Sequence, residues 1–228
     1  MKNAPYVEAA GLVLGPLLLL AGVLTRAGED DFFPGQLAAY AAEPGRMVVS
    51  YSLFAAGVVF LWPAVGALAR RIGESRPGWA RWGLVLVVLG LFGRVFHAGV
   101  SHLAFQMVDA LGLEAATSAV QKTYGAFHVF KAVNVFIMAG WVVLAIGAYL
   151  SRAMGVVRCV ALALAAGLPL GVLKGSSDPV SLVAVGGLVV ALLPLGVSIL
   201  RESAAPRWWA LALTVVLVPV VFLLGMSG

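Results

Sequence analysis

GRVFHAGVSHLAFQMVDALGLEAATSAVQKTYGAFHVFKAVN, residues 93–134, lies where two long apolar segments meet a polar hairpin. Polar side chains interrupt both apolar segments within this stretch. They are Arg94, His97, His102, Gln106, Asp109, Tyr124, His128, Lys131 and Asn134. The other membrane-length segments are almost free of ionisable groups, and ionisable residues inside a membrane usually mark a functional site. We therefore expect the functional site in this stretch.

The composition on either side of this stretch is typical of a membrane protein. The chain is 62% hydrophobic and 11% charged, whereas soluble domains carry roughly 25% charged residues. Apolar runs of about 18 residues or more recur, each long enough to cross a hydrocarbon core of roughly 30 Å. The sequence therefore predicts an all-α integral membrane protein, with residues 1–228 forming a single polytopic transmembrane domain in the cell membrane.

The hydropathy pattern predicts a bundle of about seven transmembrane helices. Their predicted ranges are 7–25, 46–69, 82–108, 125–150, 155–173, 180–200 and 207–225. The division between the fifth and sixth helices depends on residues 174–179, KGSSDP, because polar and helix-breaking residues in a row predict a turn. Six spans are the alternative if the segment 155–173 is re-entrant.

The basic residues divide unequally between the two sides of this predicted bundle. The side of the N-terminus carries Lys2, Arg70, Arg71, Arg76, Arg81, Arg152, Arg158, Arg201 and Arg207. The other side carries Arg26, Arg46, Lys122 and Lys174. Since cytoplasmic loops are enriched in Lys and Arg, we predict a cytoplasmic N-terminus and an extracytoplasmic C-terminus. The net charge of +5 is explained by this distribution, so we predict no nucleic-acid partner.

The first extracytoplasmic loop is predicted to contain a short amphipathic helix. Phe33, Leu37 and Tyr40 recur at the spacing of one helical face, and Pro44 and Gly45 end the pattern. The helix is expected to lie in the membrane interface or to fold over the bundle as a lid.

Polar residues form two neighbouring arcs on the third predicted span. The first arc contains Arg94, His97 and Ser101, and the second contains His102, Gln106 and Asp109. On the fourth span a stripe is formed by Tyr124, His128 and Lys131, with Asn134 beside it. Counting 1.5 Å per residue from the hairpin aligns His128 with His102 and Gln106. We therefore predict an outward-opening polar pocket between these two helices.

The positive charges in this pocket need partners, because a cation near the bilayer centre costs about 2.5 kcal/mol or more. The one carboxylate inside a predicted span is Glu8, far from Arg94 and Lys131. This imbalance indicates a bound anion, such as a carboxylate or phosphate on a lipophilic molecule. The alternative is that Arg94 caps carbonyls of a kinked neighbouring helix, or meets Asp30 or Asp31.

The three histidines also raise the question of a metal or haem. His97 and His102 point about 140° apart on a helix, so they are poorly placed to chelate one ion. His102 with His128, and Asp109 as a third ligand, is geometrically easier. The spacing matches no known chelating motif, so we predict no metal ligands and no cofactor. A metal- or haem-binding protein using His97, His102 and His128 stays as one alternative.

The polar residues together favour a membrane-embedded enzyme of the isomerase, cyclase or hydrolase type. It would perform acid–base chemistry on a lipophilic small molecule, with an anionic group as one option. The predicted catalytic residues are His102, paired with Asp109, and His128. The predicted substrate-binding residues are Arg94, His97, Gln106, Tyr124, Lys131 and Asn134. A non-catalytic binder, exporter or resistance protein for such a molecule is the second alternative. The expected partners are the lipid bilayer and this lipophilic molecule.

Overall fold

The computed structural model describes residues 5–30, 32–123, 126, 128–168, 178–203, 220 and 223. Within these residues every regular element is a helix, as predicted. Five of the helices are long and apolar enough to cross a membrane. They are α1 (Pro5–Thr25), α3 (Pro44–Gly73), α4 (Pro77–Leu111), α6 (Val129–Leu150) and α8 (Asp178–Glu202). They correspond to the predicted spans 1, 2, 3, 4 and 6.

Three shorter helices complete the described part of the chain. They are α2 (Gly35–Ala42), α5 (Leu113–Thr123) and α7 (Val156–Leu164), the last followed by a 3₁₀ turn at Ala165–Gly167. At 1.5 Å per residue, residues 156–167 cover about 18 Å, less than the roughly 30 Å of a hydrocarbon core. The fifth predicted span is therefore represented by a short helix. The seventh, at 207–225, lies outside the described residues apart from 220 and 223, so a count of seven stays a prediction.

Antiparallel pairs of long helices build the main core. α1 packs against α3 and α8, while α4 packs against α3 and α6, and α7 fills the space between α6 and α8. Leu12 and Leu68 are among the fully buried side chains, and Trp141 is nearly so. Between α1 and α3, the Ser50 hydroxyl donates a hydrogen bond of 2.6 Å to the carbonyl of Gly22. Because lipid supplies no hydrophobic drive between helices, such close contacts and hydrogen bonds hold the bundle together.

The seam between α4 and α6 is closed by glycines. A Cβ atom at Gly90 would overlap the Cβ of Ile137, and one at Gly140 would lie 2.7 Å from the backbone nitrogen of Val87. Neither position has room for a larger residue without moving a backbone. These glycines therefore fix how far α4 and α6 are shifted along each other.

A second cluster of buried side chains lies at one end of the bundle, where α2 and α5 contact the adjoining ends of α3 and α4. We call this region the cap. Leu37 and Tyr40 of α2 are buried there. Phe105 of α4 stacks on Tyr40 at 4.6 Å and meets Tyr51 of α3 edge-on at 4.9 Å. The apolar face of α2 is therefore covered by protein.

Arginine side chains donate hydrogen bonds to backbone carbonyls of neighbouring helices. Arg46, at the start of α3, donates to the carbonyls of Thr25 at 2.6 Å and Ala27 at 3.0 Å, just where α1 ends. Arg158 of α7 donates to the carbonyl of Ala191 in α8 at 3.1 and 2.6 Å. The last carbonyls of a helix lack intrahelical partners and carry partial negative charge, so a guanidinium is well suited to them.

Candidate functional site

The two polar arcs of α4 lie in opposite environments. Arg94, His97 and Ser101 are buried, with only 8%, 4% and 4% of their surfaces exposed. The exposed side chains are His102, Gln106 and Asp109. The predicted division into two arcs is therefore seen as a division between interior and surface.

Arg94 contacts Leu168, the residue that follows α7 and its 3₁₀ turn. Its Nη2 donates a 3.1 Å hydrogen bond to the carbonyl of Leu168. A residue before proline is driven out of the helical conformation, and Leu168, which precedes Pro169, has φ −64° and ψ 118°. The helix must stop there and leave carbonyls to be satisfied by other groups. Arg94 thus caps a carbonyl of a broken neighbouring helix, as one of the sequence-based alternatives proposed.

His97 meets His128 across the seam between α4 and α6. Their ring centroids are 5.7 Å apart and the rings are inclined by 74°. His128 immediately precedes α6 and has extended backbone angles of −146° and 154°. Its Nδ1 atom is buried, with no hydrogen-bond partner within the part of the chain that the structure describes. A buried imidazole nitrogen in this state has unused capacity to bind a polar group.

Two phenylalanines complete this group. Phe96 lies 5.1 Å from His128 and 5.6 Å from His97, measured between ring centroids. Phe130 stacks on Phe96 at 4.4 Å with an interplanar angle of 19°. We call Phe96, His97, His128 and Phe130 the histidine cluster. Sequence reasoning did not identify the phenylalanines; their positions next to His97 and near His128 were the available signal.

The pairing of His97 with His128 differs from the sequence-based alignment, which placed His128 level with His102. The glycine contacts explain the difference. Gly83 lies against Leu144 and Gly90 against Ile137, so both helices advance seven residues between these contacts. Another seven residues toward the cap bring position 97 level with position 130. In addition, α6 begins only at Val129, whereas the prediction began the helix at 125.

Asp109 interacts with the cap. Sequence reasoning paired its carboxylate with His102, but the Tyr40 hydroxyl donates a hydrogen bond of 2.5 Å to its Oδ2. This hydrogen bond, together with burial of Tyr40 and the carboxylate charge, raises the pKa of Tyr40 above its ordinary value. The exposed arc is therefore attached to α2 through Asp109.

The remaining predicted site residues lie on or near α6. Lys131 is exposed, and its backbone N–H donates to the carbonyl of His128 in the first turn of the helix. Tyr124 lies outside the described residues. Asn134 lies within α6, and its side chain is also outside what the structure describes.

Of the three histidines, His97 and His128 are in contact, whereas His102 lies on the exposed arc. Among the described residues, no group of three or more His, Cys, Asp or Glu side chains could hold a metal ion. The edge-to-face contact of His97 with His128 leaves no space for a porphyrin between the two rings.

Long apolar helices and a buried polar cluster between two of them indicate the class of helical, polytopic membrane-embedded proteins. No family model, no curated protein and no solved structure matches the chain. The residues of the site are thus the basis for assigning a function.

Proposed function

We propose that this chain is a multi-pass enzyme of the cell membrane that performs acid–base chemistry on a lipophilic, anionic small molecule. His97 and His128 are its proton-transfer groups. The observation that carries the proposal is the buried Nδ1 of the half-buried His128, which has no hydrogen-bond partner among the described residues and belongs to a ring in contact with the buried His97. A reacting group that enters the cluster would meet both imidazoles.

Two adjacent imidazoles can divide the work of proton transfer. Histidine is the side chain whose ordinary pKa allows it to donate or accept a proton near neutral pH. One ring can remove a proton from the substrate while the other returns a proton elsewhere, which is what an isomerase or cyclase requires. Burial in an apolar site excludes water from competing for the proton.

The surroundings of the cluster favour a negatively charged substrate. Arg94 lies one turn from His97 on α4, and Lys131 lies one turn after His128 on α6. The N-terminus of α6, next to His128, adds partial positive charge. Asp109 is the one carboxylate in the sequences of α4 and α6, and its twelve-residue separation from His97 corresponds to about 18 Å along the helix. Fixed positive charge of this kind stabilises an oxyanion that forms during proton abstraction.

The proposal keeps His128 from the sequence-based catalytic set and adds His97. His102 and Asp109, the other two members of that set, lie on the exposed arc and form the competing pair. The two assignments predict different variants to be inactive, so they can be separated by experiment.

The test uses isotope exchange, because this measurement works before the substrate has been identified. Purified protein in liposomes is incubated in D₂O with a lipid extract from the membranes of the cells that produce the protein. The deuterium content of each lipophilic species is then compared by mass spectrometry. We expect wild type and His102→Ala to introduce deuterium into one species, and His97→Ala and His128→Ala to introduce none. A hydrolase would instead introduce ¹⁸O from labelled water.

Two results would contradict the proposal. Loss of exchange in His102→Ala with exchange intact in His97→Ala would assign the chemistry to the exposed arc. A co-purifying molecule that raises the melting temperature of wild type but shows no isotope exchange would indicate a binder or exporter.

We also propose that the N-terminus is cytoplasmic and that the cap faces outward. Supporting this, Arg70 and Arg71 end α3 and Arg76 precedes α4 at one end of the bundle, whereas Glu29 and Glu43 lie near the cap. Single cysteines introduced at Ser75 and Glu114, with Cys159 replaced by serine, test this. A membrane-impermeant maleimide added to intact cells should label position 114 and leave position 75 unlabelled; the reverse would invert the topology.

A further inference from the structure

We infer that Phe96 and Phe130 form a gate through which an amphiphilic anion enters the histidine cluster sideways from the bilayer. This inference rests on the proposed function for the identity of the site, but the gate itself can be tested without any turnover. In this gate, Phe96 and Phe130 select a substrate that carries an apolar chain.

The first observation is the change in the width of the seam between α4 and α6. At Gly90 and Gly140 the two backbones are so close that an added Cβ would collide with the neighbouring helix. One to two turns nearer the cap, the space between the helices is filled by the four rings of the histidine cluster. Rings can change rotamer, whereas the backbone contacts at the glycines cannot open without separating the helices. Entry is therefore possible at the cluster and blocked at the glycines.

The second observation is the surface around the two rings. Val95 on α4 and Val129 on α6 are 45% and 63% exposed, and Phe136 further along α6 is exposed too. Large apolar side chains exposed on two long membrane-length helices are suited to contact with lipid chains. Phe96, Phe130 and His128 are half-buried, whereas His97 and the Nδ1 atom of His128 are buried. A molecule already dissolved in the bilayer would reach His128 by displacing the stack of Phe96 and Phe130.

The charges around the cluster define the head of that molecule. Arg94 lies one turn before His97 on α4, Lys131 lies three residues after His128, and α6 begins at Val129, so a carboxylate or phosphate head is favoured over a neutral one. The apolar chain would remain between α4 and α6 or in the lipid, against the two phenylalanines. The expected ligand is thus a single-chain amphiphile with an anionic head.

Histidine modification by diethyl pyrocarbonate measures the gate in the intact protein, since the chain contains three histidines. Protein in liposomes is treated with the reagent, and the rate at each histidine is followed by peptide mass spectrometry. In wild type we expect His102 to react fastest, because it is exposed, and His97 slowest. Phe96→Leu and Phe130→Leu should each raise the rate at His128 about two- to tenfold, the range that loss of one aromatic stack allows.

His102 is the internal control for folding, and its rate should not change. Phe136→Leu, an exposed phenylalanine of α6 outside the stack, is the matched control and should leave the rate at His128 unchanged. An unchanged rate at His128 in both gate variants, with His102 also unchanged, would overturn the gate.

The nature of the ligand is tested by protection of His128 with dodecanoate, dodecanol and butyrate at equal concentrations. Greater protection by dodecanoate than by either of the others supports an amphiphilic anion. Equal protection by butyrate would indicate entry from water and overturn sideways entry, and equal protection by dodecanol would overturn the anionic head. If the gate responds as expected but no isotope exchange occurs, the proposed enzymatic function fails and the gate remains.

Discussion

The two polar arcs of α4 each contain a histidine but have different neighbours. The buried arc faces α6 and the end of the 3₁₀ turn, where His97 contacts His128 and Arg94 donates to the carbonyl of Leu168. The exposed arc faces outward, and its Asp109 accepts a hydrogen bond from Tyr40 of the cap. Ser101 and His102 are adjacent in sequence, yet a rotation of about 100° per residue separates them into these two environments.

The polar face that packs against the start of α6 is the one that is buried. The glycine contacts hold α6 in one register against α4, and that register brings His128 to His97. His102, one position after the buried Ser101, remains on the surface. The contrast between the arcs can be tested by changing the register, the buried arc and the exposed arc in turn.

The largest loss of stability is expected for Gly90→Ala, which changes the close contact that sets the register between α4 and α6. The new methyl would overlap the Cβ of Ile137 and lie 2.7 Å from its Cα, so α4 and α6 must move apart. Overpacking of this kind typically costs about 1–3 kcal/mol, and more when a backbone must shift. Thermal unfolding in detergent should show a clear fall in melting temperature.

Gly99→Ala is the matched control on the same helix. A Cβ at Gly99 would meet nothing within 4 Å, and alanine costs less backbone entropy in a helix than glycine does. Its melting temperature should equal or slightly exceed that of wild type. If the two variants lost stability to the same extent, close packing at Gly90 would not be what holds the register.

An intermediate loss of stability is expected for Arg94→Met in the buried arc. The variant removes a charged donor from the carbonyl of Leu168, and a hydrogen bond of this type contributes about 1.5–3 kcal/mol. Arg81→Met, at an exposed arginine of the same helix, should change stability by less than about 0.5 kcal/mol. A more stable Arg94→Met variant would mean that burying the guanidinium costs more than its hydrogen bond returns.

The smallest loss of stability is expected for Tyr40→Phe, which removes the hydrogen bond between Tyr40 of the cap and Asp109 of the exposed arc. The loss should be about 1 kcal/mol, since Asp109 can be solvated once its donor is gone. Tyr149→Phe, at an exposed tyrosine near the end of α6, should be neutral. Denaturation of both variants beside wild type at neutral pH measures the difference.

The pH dependence of the Tyr40 contribution has a definite sign. Its pKa is raised in the folded protein, chiefly by the hydrogen bond to Asp109. The stabilisation is thus complete below the ordinary tyrosine pKa of about 10 and is lost as the pH rises through the raised value. The stability gap between wild type and Tyr40→Phe should stay constant from pH 7 to about 9.5 and narrow only above it. A gap that closed below pH 9 would exclude this hydrogen bond as its source.

Local patterns were sufficient for predicting several features. The apolar segments gave the positions of the five long helices, and the spacing of Phe33, Leu37 and Tyr40 predicted a short helix where α2 lies. The rotation of 100° per residue also divided the polar residues of α4 into the correct two arcs. Each of these features depends on residues close together in sequence, so composition and periodicity are enough to find them.

The contacts between helices could not be obtained in that way. The partners of His128, Asp109 and Arg94 are His97, Tyr40 and the carbonyl of Leu168, the last two being 69 and 74 residues away in the chain. Counting from the hairpin misplaced the register by several residues, because α5 occupies the hairpin and α6 begins after His128.

The sequence alone therefore determined an all-helical protein with membrane-length apolar helices and a polar stretch at residues 93–134. Only the tertiary structure decided which polar residues are buried together. The physical reason is that helix formation depends on local hydrogen bonding and hydrophobic periodicity, whereas the register of two helices depends on whether side chains and backbones fit, as at Gly90 and Ile137.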